Sequence, residues 1–118
     1  MKDRRSTEDY LKTIYLLSQT QKVHACHVGQ HMGVSRPTVS VAIKRLENEG
    51  YLQVTEGNVI CLTELGTRTA QKTCDKFQLL KRFLMQLGVT EDCASKDACQ
   101  MEHDLSSESY HALKAFMH

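Results

Sequence analysis

The spacing of apolar positions changes along the chain, and each change predicts an element. Tyr10, Leu11, Ile14 and Leu17 recur at helical spacing, which predicts a first helix of about three to four turns. Ser6 is its expected N-cap, with Asp9 three residues on as an imperfect capping box. Ala25, Val28 and Met32 then share one side of a second helix over residues 23–32. After Gly33, Ser35 is placed to cap a third helix over residues 36–49, and Pro37 falls in its first turn, where a missing N–H costs little. Val39, Ala42, Ile43 and Leu46 form its inward face, and Gly50 is its stop. Helix, glycine-containing turn and capped second helix together make a helix-turn-helix.

The period then shortens. Residues 51–54 and 59–62 read as two short strands, with Glu56, Gly57 and Asn58 supplying the turn. A hairpin directly behind such a helix pair is a wing. Thr63 next caps a long helix whose stripe is Ala70, Cys74, Phe77, Leu80, Leu84 and Leu87, and Gly88 ends it. Thr90 or Ser95 begins a fifth helix, and Ser106 caps a last one carrying Leu113, Phe116 and Met117. The expected fold is mainly α with a small β-wing. A winged helix-turn-helix DNA-binding domain over residues 1–63 precedes a helical domain over residues 64–118. The long apolar stripe has to be buried, and a two-fold partner is the simplest cover; the last two helices can share that task.

The third helix would present Ser35, Arg36, Pro37, Thr38, Ser40, Val41 and Lys44 on its outer face. The Arg, Lys and hydroxyl groups suit phosphates, Pro37, Thr38 and Val41 suit thymine methyls, and Arg36 suits a guanine edge. Arg45 is a further phosphate candidate. The expected partner is double-stranded operator DNA, read by a homodimer on two half-sites.

Charge adds little. The chain is +1 overall. Residues 1–62 carry eight Lys/Arg against six Asp/Glu, and residues 63–118 carry seven against eight. What matters for DNA is where charge sits, not its sum. No apolar run is long enough for a membrane span, and the start, with Lys2, Arg4 and Arg5, does not lead into an apolar signal core. A cytoplasmic protein with no membrane partner is expected. Five cysteines, Cys26, Cys61, Cys74, Cys93 and Cys99, contain no CxxC pair. They read as reduced thiols, mostly small core residues.

Cys99 is the exception. Cys99, Glu102 and His103 stand at i, i+3 and i+4 of the fifth helix, where a thiolate, a carboxylate and an imidazole can converge on one cation. By itself this spacing is equally that of a core cysteine beside two surface residues. His24, His27 and His31 offer a second histidine group, read as solvated or near phosphate.

These residues together resemble the diphtheria toxin repressor family, including the manganese transport regulators. The match rests on residues 7–15 of the first helix (TEDYLKTIY), residues 35–40 (SRPTVS), residues 62–66 (LTELG) and residues 98–106 (ACQMEHDLS), in that order. The resemblance implies a metal-activated repressor whose ion is held by Asp9 from the first helix with Cys99, Glu102 and His103 from the fifth, so that residues 64–118 bind metal as well as dimerise. Members of the iron type have Met and Cys at the positions of Asp9 and Cys99, and members of the manganese type have Asp and Glu; this chain mixes the two. Thiolate chemistry favours Fe(II) as the ion, with Mn(II), Zn(II), Co(II) and Ni(II) compatible. The family's second metal position corresponds to Lys12, Phe77, Lys81 and Ser95, which is no ligand set. One metal per subunit is therefore expected, with the Lys12 ammonium standing in for a second cation. The sequence given is also short for the family; against its longer members the expectation is either a chain lacking their third domain or a truncated one.

Three other functions fit parts of this pattern. A winged-helix regulator could sense oxidation through Cys99. An enzyme could pair Cys99 with His103 as nucleophile and base, but no oxyanion donors or orienting third group accompany them, so no catalytic residue is expected. A metal buffer would leave the recognition helix without a purpose.

Overall fold

A computed structural model describes residues 4–117. Lys2, weighed above, lies outside them. Helix α1 spans Arg4–Ser18, α2 Ala25–Met32 and α3 Arg36–Asn48; β1 is Leu52–Thr55 and β2 Val59–Leu62; α4 spans Glu64–Gln86, α5 Glu91–Met101 and α6 Ser107–Phe116. The chain divides into two compact units, one reaching Gln71 and the other starting at Lys72. The boundary read from the sequence lies where the wing ends. The first unit runs further because Gly66 and Ala70 of α4 are buried in it.

In the first unit the expected inward faces form one core. Tyr10, Leu11 and Ile14 of α1, Val28 of α2, and Val39, Ala42, Ile43 and Leu46 of α3 are buried together with Leu52, Ile60 and Ala70. Burial raises the Tyr10 phenol above its ordinary pKa, and the Arg45 guanidinium partly offsets this. The turn between α2 and α3 is tight. Gly33 is left-handed (φ 70°), and its N–H and that of Val34 both donate to the Gly29 carbonyl. Gly29 has no room to spare, since a Cβ there would meet Val34 O at 3.2 Å and Val39 Cγ2 at 3.3 Å.

Local sequence chemistry sets most helix ends. The Ser35 hydroxyl accepts from the Thr38 N–H (3.4 Å) at the start of α3, and Gly50 (φ 87°) follows its end. Thr63 Oγ1 accepts from the Gly66 N–H (3.2 Å) at the start of α4. Thr90 and Ser106 cap α5 and α6 in the same way. Ser35→Ala removes an oxygen that serves α3 alone. Thermal unfolding should show a loss of about 1 kcal/mol, and an unchanged midpoint would mean the cap contributes nothing.

Two boundaries differ from the sequence reading. Ser6 lies inside α1 and does not precede it. Helix α2 begins at Ala25, because Val23 is drawn into an isolated antiparallel bridge with Ile60. The strands pair antiparallel with Leu52 opposite Leu62 and Thr55 opposite Val59. Their turn, Glu56–Asn58, is closed by two left-handed residues, Gly57 (φ 79°) and Asn58 (φ 61°).

The second unit comprises α5, α6 and the part of α4 from Lys72. Leu79, Leu80, Ala94 and Ala98 are buried, as is Thr73. The Leu80 position agrees with the predicted stripe of α4. Met85, Leu87 and Phe116 are exposed, Phe116 to 80%. Within this unit Lys76 Nζ donates to the Leu105 carbonyl (3.0 Å), and Lys81 pairs with Glu91 (3.2 Å).

The expectation that most cysteines are core residues is not met. None forms a disulfide among the described residues; Cys26, Cys61, Cys93 and Cys99 are exposed, and only Cys74 is half-buried. The β2 alternation explains Cys61: Ile60 faces the core, so the next residue faces solvent.

Candidate metal centre and recognition helix

In α5 the buried positions are Ala94, Ala98 and then Glu102, a spacing of four that marks one helix face. Glu102 is the C-cap, helical in backbone (φ −58°, ψ −29°), with its N–H donating to the Ala98 carbonyl. Its side chain is 1% exposed. His103, 5% exposed, lies just beyond the helix, and its Nε2 stands 3.4 Å from Glu102 Oε2.

The helix ends one residue too early for the sequence reading of Cys99, Glu102 and His103 on one helical face. A continuing helix would stack His103 over Cys99. Because α5 closes at Met101, His103 leaves that path and joins Glu102, while Cys99 is exposed. Among the described residues, Cys99, Glu102 and His103 do not form a group of three donor atoms within 4.8 Å of one another. The signal that locates Glu102 is the Ala94–Ala98–Glu102 stripe, two small buried residues leading to a carboxylate.

This arrangement suits a divalent cation. A buried carboxylate is costly unless opposite charge offsets it. Its place at a helix C-terminus, where the peptide dipoles present partial negative charge, raises the cost further. A carboxylate oxygen beside an imidazole nitrogen is a donor pair for Mn(II), Fe(II) or Zn(II). Asp9, the remaining expected ligand, is half-buried on α1 of the first unit and is followed by buried Tyr10 and Leu11. At the positions of the second metal set, Lys81 is engaged by Glu91, and Phe77 and Ser95 are half-buried.

The first unit carries the candidate DNA surface. Ser35, Arg36, Pro37, Thr38, Ser40, Val41 and Lys44 are all exposed. Val41 is 71% exposed, so its methyl groups are accessible to a thymine methyl. The Ser35 hydroxyl also lies 2.9 Å from Thr38 Oγ1, so both side chains are organised by the cap. Arg45 differs from the reading above. Its guanidinium donates to Thr7 Oγ1 and Glu49 Oε1, both at 3.2 Å, which ties it to α1 and its own helix. Beside the recognition helix a cleft of about 470 Å³ opens between α2, α3 and the wing, lined among others by His24, Cys26, Arg36, Ser40 and Asn58.

Comparison with known proteins agrees with both halves. Residues 4–58 match the family "Iron dependent repressor, N-terminal DNA binding domain". Residues 63–118 match "Iron dependent repressor, metal binding and dimerisation domain". Transcriptional regulator MntR of Salmonella typhimurium is 33% identical over 114 residues, covering 96% of this chain and 73% of that protein. An HTH-type transcriptional regulator of Methanocaldococcus jannaschii is 35% identical over 116 residues, covering 96% and 93%. The solved structure of the manganese regulator SloR matches with a TM-score of 0.83 and 32% identity over 99% of this chain. Only 54% of the SloR chain is covered, so this chain spans about half the length of that relative.

Proposed function

From its membership of the iron-dependent repressor family, the metal-dependent regulators that include MntR, we propose that this chain binds palindromic operator DNA as a homodimer when it holds one divalent transition metal per subunit. Members of this family are transcriptional regulators and not enzymes. The observation that carries the metal half of the proposal is the pair Glu102 and His103, both buried and 3.4 Å apart.

In this reading Cys99, Glu102 and His103 would hold the ion from the second unit and Asp9 would hold it from the first, one donor atom from each residue. When bound, the metal contributes charge and coordination bonds that favour one arrangement of the two units. The residues do the rest. Asp9 couples α1, and with it the helix-turn-helix core, to the end of α5. Two half-sites lie about 34 Å apart, so a small error in the placement of one recognition helix spoils a site. Metal thus acts as a population shift towards the DNA-competent arrangement. The thiolate makes Fe(II) the preferred ion; an inert Cys99 would move the preference towards Mn(II). The exposed Met85, Leu87 and Phe116 of the second unit support a dimer face. Since its partner is DNA, we place the protein in the cytoplasm. No helix of the described residues is long and apolar enough to cross a membrane.

Fluorescence anisotropy on a duplex selected from a random pool tests the proposal. Wild type should bind with Fe(II) and lose affinity with chelator. Arg36→Ala should cost about 1–3 kcal/mol if Arg36 pairs with a guanine edge. Binding that ignores chelator but responds to peroxide would replace the metal switch with a thiol switch at Cys99. The Co(II) form of wild type should show a thiolate charge-transfer band that Cys99→Ser lacks; its absence from wild type would remove Cys99 from the ligand set.

A further inference from the structure

The two histidines at the start of α2, His24 as its N-cap and His27 in its first turn, occupy positions that neither the metal nor the recognition helix uses. His24 is the N-cap of α2, with extended backbone (φ −118°, ψ 163°). Its Nδ1 lies 3.0 Å from the carbonyl oxygen of Asn58, at the tip of the wing. Its backbone N–H donates to His27 Nδ1, also at 3.0 Å. The two rings meet edge to face, with centroids 5.5 Å apart.

These contacts fix which nitrogen carries each proton. A carbonyl oxygen only accepts, so His24 Nδ1 must be the N–H donor to Asn58. A backbone N–H only donates, so His27 Nδ1 must present its lone pair. His27 therefore carries its proton on Nε2 when neutral. It does the work that a Glu or Gln at the third helical position performs in an ordinary capping box.

The wing is otherwise tied to this segment at one backbone point. The Ile60 N–H donates to the Val23 carbonyl at 2.8 Å. Val23 thus holds the strand, and the adjacent residue, His24, holds the turn. That turn contains Gly57 and Asn58, both left-handed. Asn58 is the only described non-glycine residue with positive φ, so its carbonyl direction is a local choice that needs an outside partner to fix it. His24 also lines the cleft that Arg36 and Ser40 share with Asn58. Whatever sets the Asn58 carbonyl sets the spacing between wing tip and recognition helix.

We propose that His24 is a wing-positioning residue for DNA binding and that His27 orients it. His24 Nδ1–H fixes the Asn58 carbonyl, and His27 Nδ1 fixes the His24 backbone and packs against its ring. The inference rests on the DNA-binding reading given above, and it concerns the wing, not the metal.

The test uses the full chain, free and DNA-bound. Nitrogen-15 NMR of the imidazoles should show the Nδ1–H tautomer at His24 and the Nε2–H tautomer at His27. His24→Gln places its amide at the wrong depth to reach Asn58, whereas His24→Asn places a donor where Nδ1 stood. His24→Gln should speed amide exchange at Ile60 and the wing turn, with α3 unchanged, and weaken binding to the selected duplex by about fivefold, the scale of one hydrogen bond. His24→Asn should restore both. His27→Glu, an ordinary capping-box residue, should keep the wing protected. The Nε2–H tautomer at His24, wild-type wing exchange in His24→Gln, or no rescue by His24→Asn would overturn the proposal. Should wild type bind no duplex under any metal condition, the DNA reading fails, while tautomers and wing exchange still decide what His24 holds.

Discussion

Glu102→Ala should abolish the metal response of DNA binding while leaving a folded protein. Wild type is expected to gain affinity for its operator by about 5- to 150-fold on adding metal, the range of an ordinary coupling energy. The variant should show the chelated value under both conditions. The same substitution separates metal binding from general damage through its effect on stability. A ligand at about 100 times its dissociation constant stabilises the folded state by about 2.7 kcal/mol. That shift in thermal unfolding should be present in wild type and missing in Glu102→Ala. Equal metal-induced shifts in the two proteins would remove Glu102 from the site and, with it, the observation on which the metal reading stands.

The elements were legible where local chemistry writes them. Ser35, Thr63 and Ser106 each cap a helix as their hydroxyls and following apolar runs predict, and of the two candidates for α5 Thr90 is the cap while Ser95 lies inside the helix. The inward faces of α1 and α3 follow from spacing of three and four residues. What escaped depends on partners distant in sequence. Val23 looked like the first turn of α2 and is instead spent on Ile60. Arg45 looked like a phosphate contact and is held by Thr7, thirty-eight residues away. Cys61 reads as a core residue by type, yet strand register turns it outward. The candidate metal site was legible in residue type but not in geometry. Helical periodicity carries Cys99, Glu102 and His103 onto one face only while the helix lasts, and no local signal in Met101-Glu102-His103 announces its end. The Ala94–Ala98–Glu102 stripe is visible in the sequence, but alanine is a good helix former on any face, so the stripe acquires meaning only once burial is known.

Gly66→Ala should destabilise the first unit by more than about 3 kcal/mol, beyond the usual range for an added methyl group. The expectation runs against helix propensity, which favours alanine over glycine inside a helix by about 1 kcal/mol. Packing decides the sign. Gly66 sits in the first turn of α4, and a Cβ on it would fall well inside contact distance of the Tyr51 carbonyl oxygen, 3.0 Å from the Tyr51 carbonyl carbon and 3.3 Å from Leu62 Cδ2. The obstacle is backbone, and it is held from several sides. The Tyr51 carbonyl accepts from the Thr63 N–H at 3.0 Å, and the Tyr51 N–H donates to the Leu46 carbonyl at the end of α3. Thr63 Oγ1 donates to the Gly50 carbonyl at 2.6 Å. Gly50 is itself left-handed, which fixes the exit from the recognition helix. The methyl group can be accommodated only by lifting α4 off the strand, which would break the Thr63 bonds and move the wing. Gly88→Ala is the matching control. Unlike the helical Gly66, Gly88 has a positive φ (102°), but a Cβ there meets nothing within 4 Å, so its cost should stay near the roughly 1–2 kcal/mol of a left-handed alanine. Urea unfolding of the two variants beside wild type measures the difference. A Gly66→Ala protein as stable as wild type, or more so, would mean that α4 does not pack against the start of β1, and the route by which the recognition helix, the wing and α4 are locked together would have to be drawn anew.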